Sequence, residues 1–235
     1  MIGPVATSTM PSLEPIEHTD LTEKVHQLLR DKIFARELKP GARLDLDHLA
    51  DGLRISRAPI NNAIIRLAAD GLVRTEPRRG TFVRELTTRD VAEVYEVRRA
   101  LEIRAAELGV EAATDHEVAR LDSILDQMGN LSGRAGREYL AYVKLDLEFH
   151  LALVGLSGND KITQTYRDLH IDVMNARLYC HGMPRAWRVV CAEHRAILAG
   201  YGARDITAVK AAVIQLIENG QRASVQRIEE LGGVI

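Results

Sequence analysis

Apolar residues recur at helical spacing along most of this chain, with one short interruption. Leu21, Val25, Leu28, Leu29 and Ile33 mark the inner face of a first helix, with Asp20 and Glu23 as its capping pair. Pro40-Gly41 then signals a turn within residues 38–44. Leu46, Leu49, Ala50 and Leu53 form the core face of a second, short helix, capped by Asp45 or Asp47. A tight turn leads to a third, with Ser56 as its cap and Pro59 in its first turn. Ile60, Ala63, Ile64 and Leu67 face inward there, which leaves Arg57, Asn61, Asn62 and Arg66 pointing outward. Asp70-Gly71 ends this helix. Two short strands follow, residues 72–75 and 81–83, joined by Glu76-Pro77-Arg78-Arg79-Gly80.

After Leu86 no strand pattern returns. Helices are predicted near residues 89–113, 115–129, 137–156, 160–180, 186–200 and 205–231, with breaks at Thr114-Asp115, residues 129–136, 157–160, 182–184 and 202–204. The fold is therefore expected to be mostly α. It divides into a disordered tail over 1–17, a winged helix-turn-helix over 18–86, and an all-α antiparallel helical bundle over 87–235.

Composition narrows this picture. Hydrophobic residues make up 46% of the 235 positions but aromatics only 4%, so the cores must be built from Leu, Ile, Val and Ala. No apolar run approaches a membrane span, and residues 1–15 lack the layout of a signal peptide. Cys180 and Cys191 are too few for a disulfide framework, so free thiols in a cytoplasmic setting are expected.

Net charge alone does not point to nucleic acid. Residues 18–86 hold 13 Lys and Arg against 10 Asp and Glu, and residues 87–235 reverse the sign with 18 against 21. The local pattern is more telling. The second helix of the helix-turn-helix, read from Arg54 to Ala69, carries Arg54, Arg57 and Arg66 and no acid. The wing adds Arg74, Arg78, Arg79 and Arg84, with Gly80 permitting its tight turn. Arg57 lies where a recognition helix reaches base edges. Arg66 lies over two turns later and suits a phosphate, while Arg78 and Arg79 suit the backbone or minor groove. For each arginine the competing reading is a solvated surface charge.

The chain resembles the GntR family of bacterial transcription regulators, in the FadR-like branch with an all-helical, FCD-type ligand-binding domain. The N-terminal resemblance rests on Leu38-x-Pro40-Gly41-x-Arg43-Leu44, Leu49-Ala50, Ser56-Arg57-x-Pro59, Arg66-Leu67-Ala68-x-x-Gly71-Leu72-Val73 and Arg79-Gly80-Thr81-Phe82-Val83. The C-terminal resemblance rests on Glu96-Val97-Arg98-x-x-Leu101-Glu102, Asp146-x-x-Phe149-His150, Ser157-Gly158-Asn159 and Glu193-His194-Arg195-Ala196-Ile197-Leu198. One departure stands in the recognition helix. Relatives often place arginine where this chain has Asn61, and asparagine suits adenine whereas arginine prefers guanine.

The resemblance implies a homodimer that reads a pseudo-palindromic DNA operator and answers to a small carboxylate effector, with repression as the expected sign. It implies that Asp146, His150 and His194 hold a divalent metal such as zinc. The family's last histidine falls on Leu216 here, with Gln215 and Asn219 nearby. The alternative is a buried Asp146–His150–His194 polar cluster that holds no metal or takes the effector directly. Arg98 is the expected partner of an effector carboxylate, with an ion pair to Glu102 at i,i+4 as its alternative. Tyr95, Tyr142, Asn175 and Arg177 are further candidates for the cavity wall. Two other functions remain open: a metal-assisted hydrolase at the Asp/His/His site, and a constitutive DNA-binding dimer without effector.

Overall fold

The computed structural model describes residues 21–131, 138–179 and 187–235. The expected tail, Asp20 of the first capping pair, Cys180, residues 132–136 of the break read at 129–136, and the break at 182–184 lie outside the described residues. Described helices and strands follow the order α1 (Leu21–Phe34), β1 (Arg43–Leu44), α2 (Leu46–Leu53), α3 (Arg57–Ala69), β2 (Val73–Glu76) and β3 (Gly80–Val83). The helical unit continues with α4 (Thr88–Gly109), α5 (Asp115–Asn130), α6 (Glu138–Gly155), α7 (Asp160–Arg167), α8 (Ile171–Tyr179), α9 (Trp187–Gly202) and α10 (Ile206–Glu230).

Helix α1 packs on α3 through Val25, Leu29 and Ile33. Leu21 and Leu28, expected on that face, are exposed, and His26 and Phe34 are buried instead. A turn of 100° per residue carries Leu28 off the stripe that holds Leu29. His26 is tolerated inside because its Nε2 meets Asp70 Oδ2 at 2.6 Å.

Asp45, rather than Asp47, caps α2, accepting from the backbone N–H groups of Asp47 and His48. Arg54 does not belong to the recognition helix. It closes α2 in a left-handed conformation at φ 53°. Ser56 occupies the N-cap position of α3, but its side chain makes no cap hydrogen bond. Gly71, at φ 72°, ends α3: its own N–H bonds Ala68 O and the Leu72 N–H bonds Leu67 O, the paired closure of a helix that stops on glycine.

The wing is larger than the sequence pattern suggested. Strand β1 joins it, in the order β1-β3-β2, all antiparallel, with Thr75 opposite Thr81 and Glu76 opposite Gly80. A two-residue strand has too short a period to be seen from alternation.

Capping boxes open the first two bundle helices, Thr87 with Asp90 and Thr114 with Glu117. Asn159 and Asp205 cap α7 and α10. The single helix expected over 160–180 is split. His170 is left-handed at φ 50° and separates α7 from α8. In the bundle, α10 packs on α4 and α9, and α6 packs on α4, α5, α7 and α8. The segments that carry Arg98, Asp146, Asn175 and His194 thus meet around one interior.

Candidate nucleic-acid surface and buried polar centre

The outer face of α3 is built as its sequence pattern predicts. Ile60, Ala63, Ile64 and Leu67 are buried, and Arg57, Asn61, Asn62 and Arg66 are exposed. Pro59 is half-buried in the first turn. The arginines are held by acids of neighbouring segments, which a reading of α3 alone could not see. Arg57 pairs with Asp47 of α2. Arg66 donates to Glu23 of α1 at 2.7 Å. In the wing, Glu76 engages both Arg74 and Arg79. These pairs are worth little in water, and they hold each guanidinium while leaving it accessible to solvent. Arg78, left-handed at φ 63°, and Gly80, at φ 112°, form the wing tip.

The helical unit buries a polar centre. Arg98, Glu102, Asp146, His150 and His194 are all buried. Arg98 Nε donates to Glu102 Oε1 at 2.7 Å, and the Tyr166 hydroxyl donates to the same oxygen at 2.8 Å. His150 Nδ1 lies 3.3 Å from Glu102 Oε2. Burial alone would raise the Glu102 carboxyl, but His150 and the Arg98 guanidinium facing it prevail and hold it well below the ordinary carboxylate range. For Asp146 too, burial is outweighed, by the His194 hydrogen bond and the charges around it, and its carboxyl falls to about 2.

The tautomers follow from the partners. His194 Nδ1 is 2.7 Å from Val190 O, which can only accept, so that nitrogen carries the proton. Arg98 Nη2 can only donate, and it lies 2.7 Å from His150 Nε2. His150 Nε2 therefore presents a lone pair, and His194 Nε2, which hydrogen-bonds Asp146, stands 3.1 Å from it. Asp146 Oδ1 is 3.2 Å from His194 Nε2 and accepts from the Tyr142 hydroxyl at 3.2 Å. Ligand atoms of Asp146, His150 and His194 converge within 4.8 Å. That arrangement suits a cation or a shared proton. The donor set of two imidazoles and a carboxylate suits zinc. Leu216 is buried and offers no donor, and the Asn219 side chain is turned to Glu193 Oε1 at 2.7 Å.

The other candidates divide. The Tyr95 ring stacks at 5.6 Å from the Arg98 guanidinium, and its hydroxyl meets Ser224 Oγ at 3.2 Å. Asn175 is buried with its Oδ1 lacking a hydrogen-bond partner. Arg177 is not in the centre. It donates to Arg84 O at 2.9 Å and to Ile235 O, at the junction of the wing and the bundle. Sequence reasoning missed Tyr166 and Tyr201, whose hydroxyl is also buried without a partner. Tyr201 lies seven residues after His194 on α9, a spacing that puts both on one helix face and was available as a signal. Cys191 is a half-buried free thiol.

Comparison with known proteins gives two family matches. The profile for bacterial regulatory proteins of the gntR family covers residues 21–83, and the FCD domain profile covers residues 93–219. The Nta operon transcriptional regulator of Aminobacter aminovorans is 37% identical over 142 residues, 59% of this chain and 65% of that relative, so the match spans just under two thirds of its length. The HTH-type transcriptional regulator McbR of Escherichia coli is 26% identical over 198 residues, covering 83% of this chain and 89% of McbR. Among solved structures, E. coli McbR/YncC superposes with a TM-score of 0.66 at 24% identity, over 88% of this chain and 98% of that one, a likeness of fold. No helix among the described residues is long and apolar enough to cross a membrane.

Proposed function

Because the chain belongs to the GntR family of bacterial regulatory proteins and carries an FCD domain, we propose that it is a cytoplasmic, homodimeric repressor. In this reading residues 18–86 bind a pseudo-palindromic operator, and residues 87–235 bind a small carboxylate effector and join the protomers. The observation that carries the proposal is the pairing of an outward Arg57–Asn61–Asn62–Arg66 face with a buried centre that holds a guanidinium beside convergent Lewis bases. Arg54, Ser56, Pro59, Arg78, Arg79 and Gly80 complete the DNA-facing set. The uncapped Ser56 hydroxyl at a helix N-terminus is free to donate to a phosphate.

In the centre, Asp146, His150 and His194 would hold a divalent metal. Such an ion supplies a Lewis-acid seat for a carboxylate oxygen. Arg98 supplies the paired hydrogen bonds of a guanidinium to the same group. Glu102 now occupies that guanidinium, so an entering carboxylate must compete with it for Arg98. Tyr95 and Tyr142 position Arg98 and Asp146, and Asn175 offers an unused acceptor. Effector and operator then favour different states of one protein, so each weakens the other's binding by the same factor.

Selection of a random-sequence DNA library by the purified chain, with and without metabolite pools and zinc, tests the whole reading. Recovery of a short palindrome that one pool releases supports it, and DNA binding without sequence preference overturns it. The metal has its own test. Zinc at a hundredfold excess over its dissociation constant is expected to stabilise the wild type by about 2.7 kcal/mol, seen as a higher unfolding temperature. His194→Ala is expected to lose that response. A wild type indifferent to zinc and EDTA removes the metal and leaves the polar cluster.

A further inference from the structure

Among the described residues, the most exposed large hydrophobic side chain is Ile65, at 66%. It sits on α3, four residues after Asn61 and eight after Arg57, on the outward stripe of the helix. Its neighbours on that face are Asn61 and Asn62 one turn before it and the small Ala68 and Ala69 one turn after it, with no second large apolar group. One large aliphatic residue beside two amides and two alanine methyls is a small patch for a protein interface, whose core is a broad contiguous apolar patch. It matches the major-groove edge of DNA, where one apolar group, the thymine C5-methyl, stands among donors and acceptors. The helix bears no acid of its own, which agrees with a polyanionic partner.

We infer that Ile65 is a specificity-determining residue that packs on a thymine methyl group, next to an adenine read by Asn61. The inference rests on the DNA-binding reading above and adds the base class. Four residues of α-helix rise about 6 Å, which is under two base-pair steps of ~3.4 Å. The Asn61 amide can give and take the pair of hydrogen bonds that adenine N6 and N7 offer. Ile65 then covers a methyl one or two base pairs away. Each operator half-site thus holds two A·T pairs in close succession. The aliphatic side chain, wasted in water, is buried only on the correct sequence.

The test uses the full-length chain and the DNA recovered by library selection. Each thymine of that DNA is replaced in turn by deoxyuridine, which removes the methyl and keeps every hydrogen bond. At one thymine per half-site the wild type is expected to bind about fourfold more weakly after replacement, the equivalent of ~0.8 kcal/mol for one buried methyl-sized group. Ile65→Ala, an exposed and structurally harmless change, is expected to bind thymine and uracil versions equally. Asn61→Ala is expected to relax the preference for adenine within two base pairs of the same thymine. Indifference of the wild type to uracil at every position overturns the inference while leaving operator binding intact. So does a thymine preference that Ile65→Ala retains. If the library yields no preferred sequence at all, the DNA reading itself fails and takes this inference with it.

Discussion

Glu102→Ala is expected to cost the helical unit about 3–5 kcal/mol, the penalty of leaving one member of a buried ion pair without its partner. Glu102 is 1% exposed and Arg98 is 3% exposed, so water cannot replace the lost carboxylate. The same oxygen that binds Arg98 also takes the Tyr166 hydroxyl, and the other oxygen faces His150. Truncation therefore strands a cation, a phenol and an imidazole N–H at once. For a chain of this size the loss should lower the unfolding temperature by roughly 10 °C or more in a calorimetric scan. The double variant Glu102→Leu with Arg98→Met should recover most of it, because a well-packed apolar pair often matches a buried ion pair in stability. If Glu102→Ala unfolds within 1–2 °C of the wild type, the centre is wetter than its burial indicates and the carboxylate does not hold Arg98 in place. Recovery in the double variant would also separate folding from sensing, since that protein keeps its bundle and loses the guanidinium.

Much of this molecule is legible in its sequence, for physical reasons that can be named. The inward Ile60–Ala63–Ile64–Leu67 stripe fixed which side chains of α3 face out, because 3.6-residue periodicity leaves little choice. Asp146 and His150 share a face by i,i+4 spacing, and the resemblance brought His194 to them across the bundle. What escaped depends on long-range partners or local backbone. Arg54 reads as the start of the recognition helix until its left-handed conformation removes it. The break at His170 carries no glycine or proline to announce it. Tyr166 reaches Glu102 over 64 residues of sequence, and no periodicity encodes that distance. Arg177 reads as a cavity candidate alongside Asn175, two positions before it. Two residues along a helix is about 200° of rotation, so the two side chains leave α8 in opposite directions, and Arg177 meets the domain junction.

That same half-turn makes Arg177 the residue whose loss should loosen the two units most. Residues 231–235 leave α10 and run to the winged unit, where Leu86 and Ile235 exchange backbone hydrogen bonds of 2.7 and 3.0 Å. Arg36 of the winged unit donates to Leu231 O and Val234 O at 3.4 and 3.3 Å. Ile235 is buried beside Ile33, Phe34, Leu38 and Val83, so bundle-derived chain enters the winged core. Arg177 ties the junction from the α8 side by bonding both Arg84 O and Ile235 O. Hydrogen bonds from a charged donor contribute about 1.5–3 kcal/mol each. Losing both amounts to about 3–6 kcal/mol, so Arg177→Ala should raise the undocked fraction by roughly 10²- to 10⁴-fold. Limited trypsin digestion reads this directly, as faster cleavage after Arg84 with the bundle fragment intact. Cleavage at the wild-type rate would mean that the 86–235 backbone pair, the Arg36 bonds and buried Ile235 hold the units together without Arg177. Because α8 also carries the unpartnered Asn175 oxygen, an effector that engages Asn175 acts on the helix that bears Arg177. Under the proposed function, docking strength at Arg84 would link a buried ligand to the DNA-binding unit, and Arg177→Ala should bind operator with a weaker effector response than the wild type.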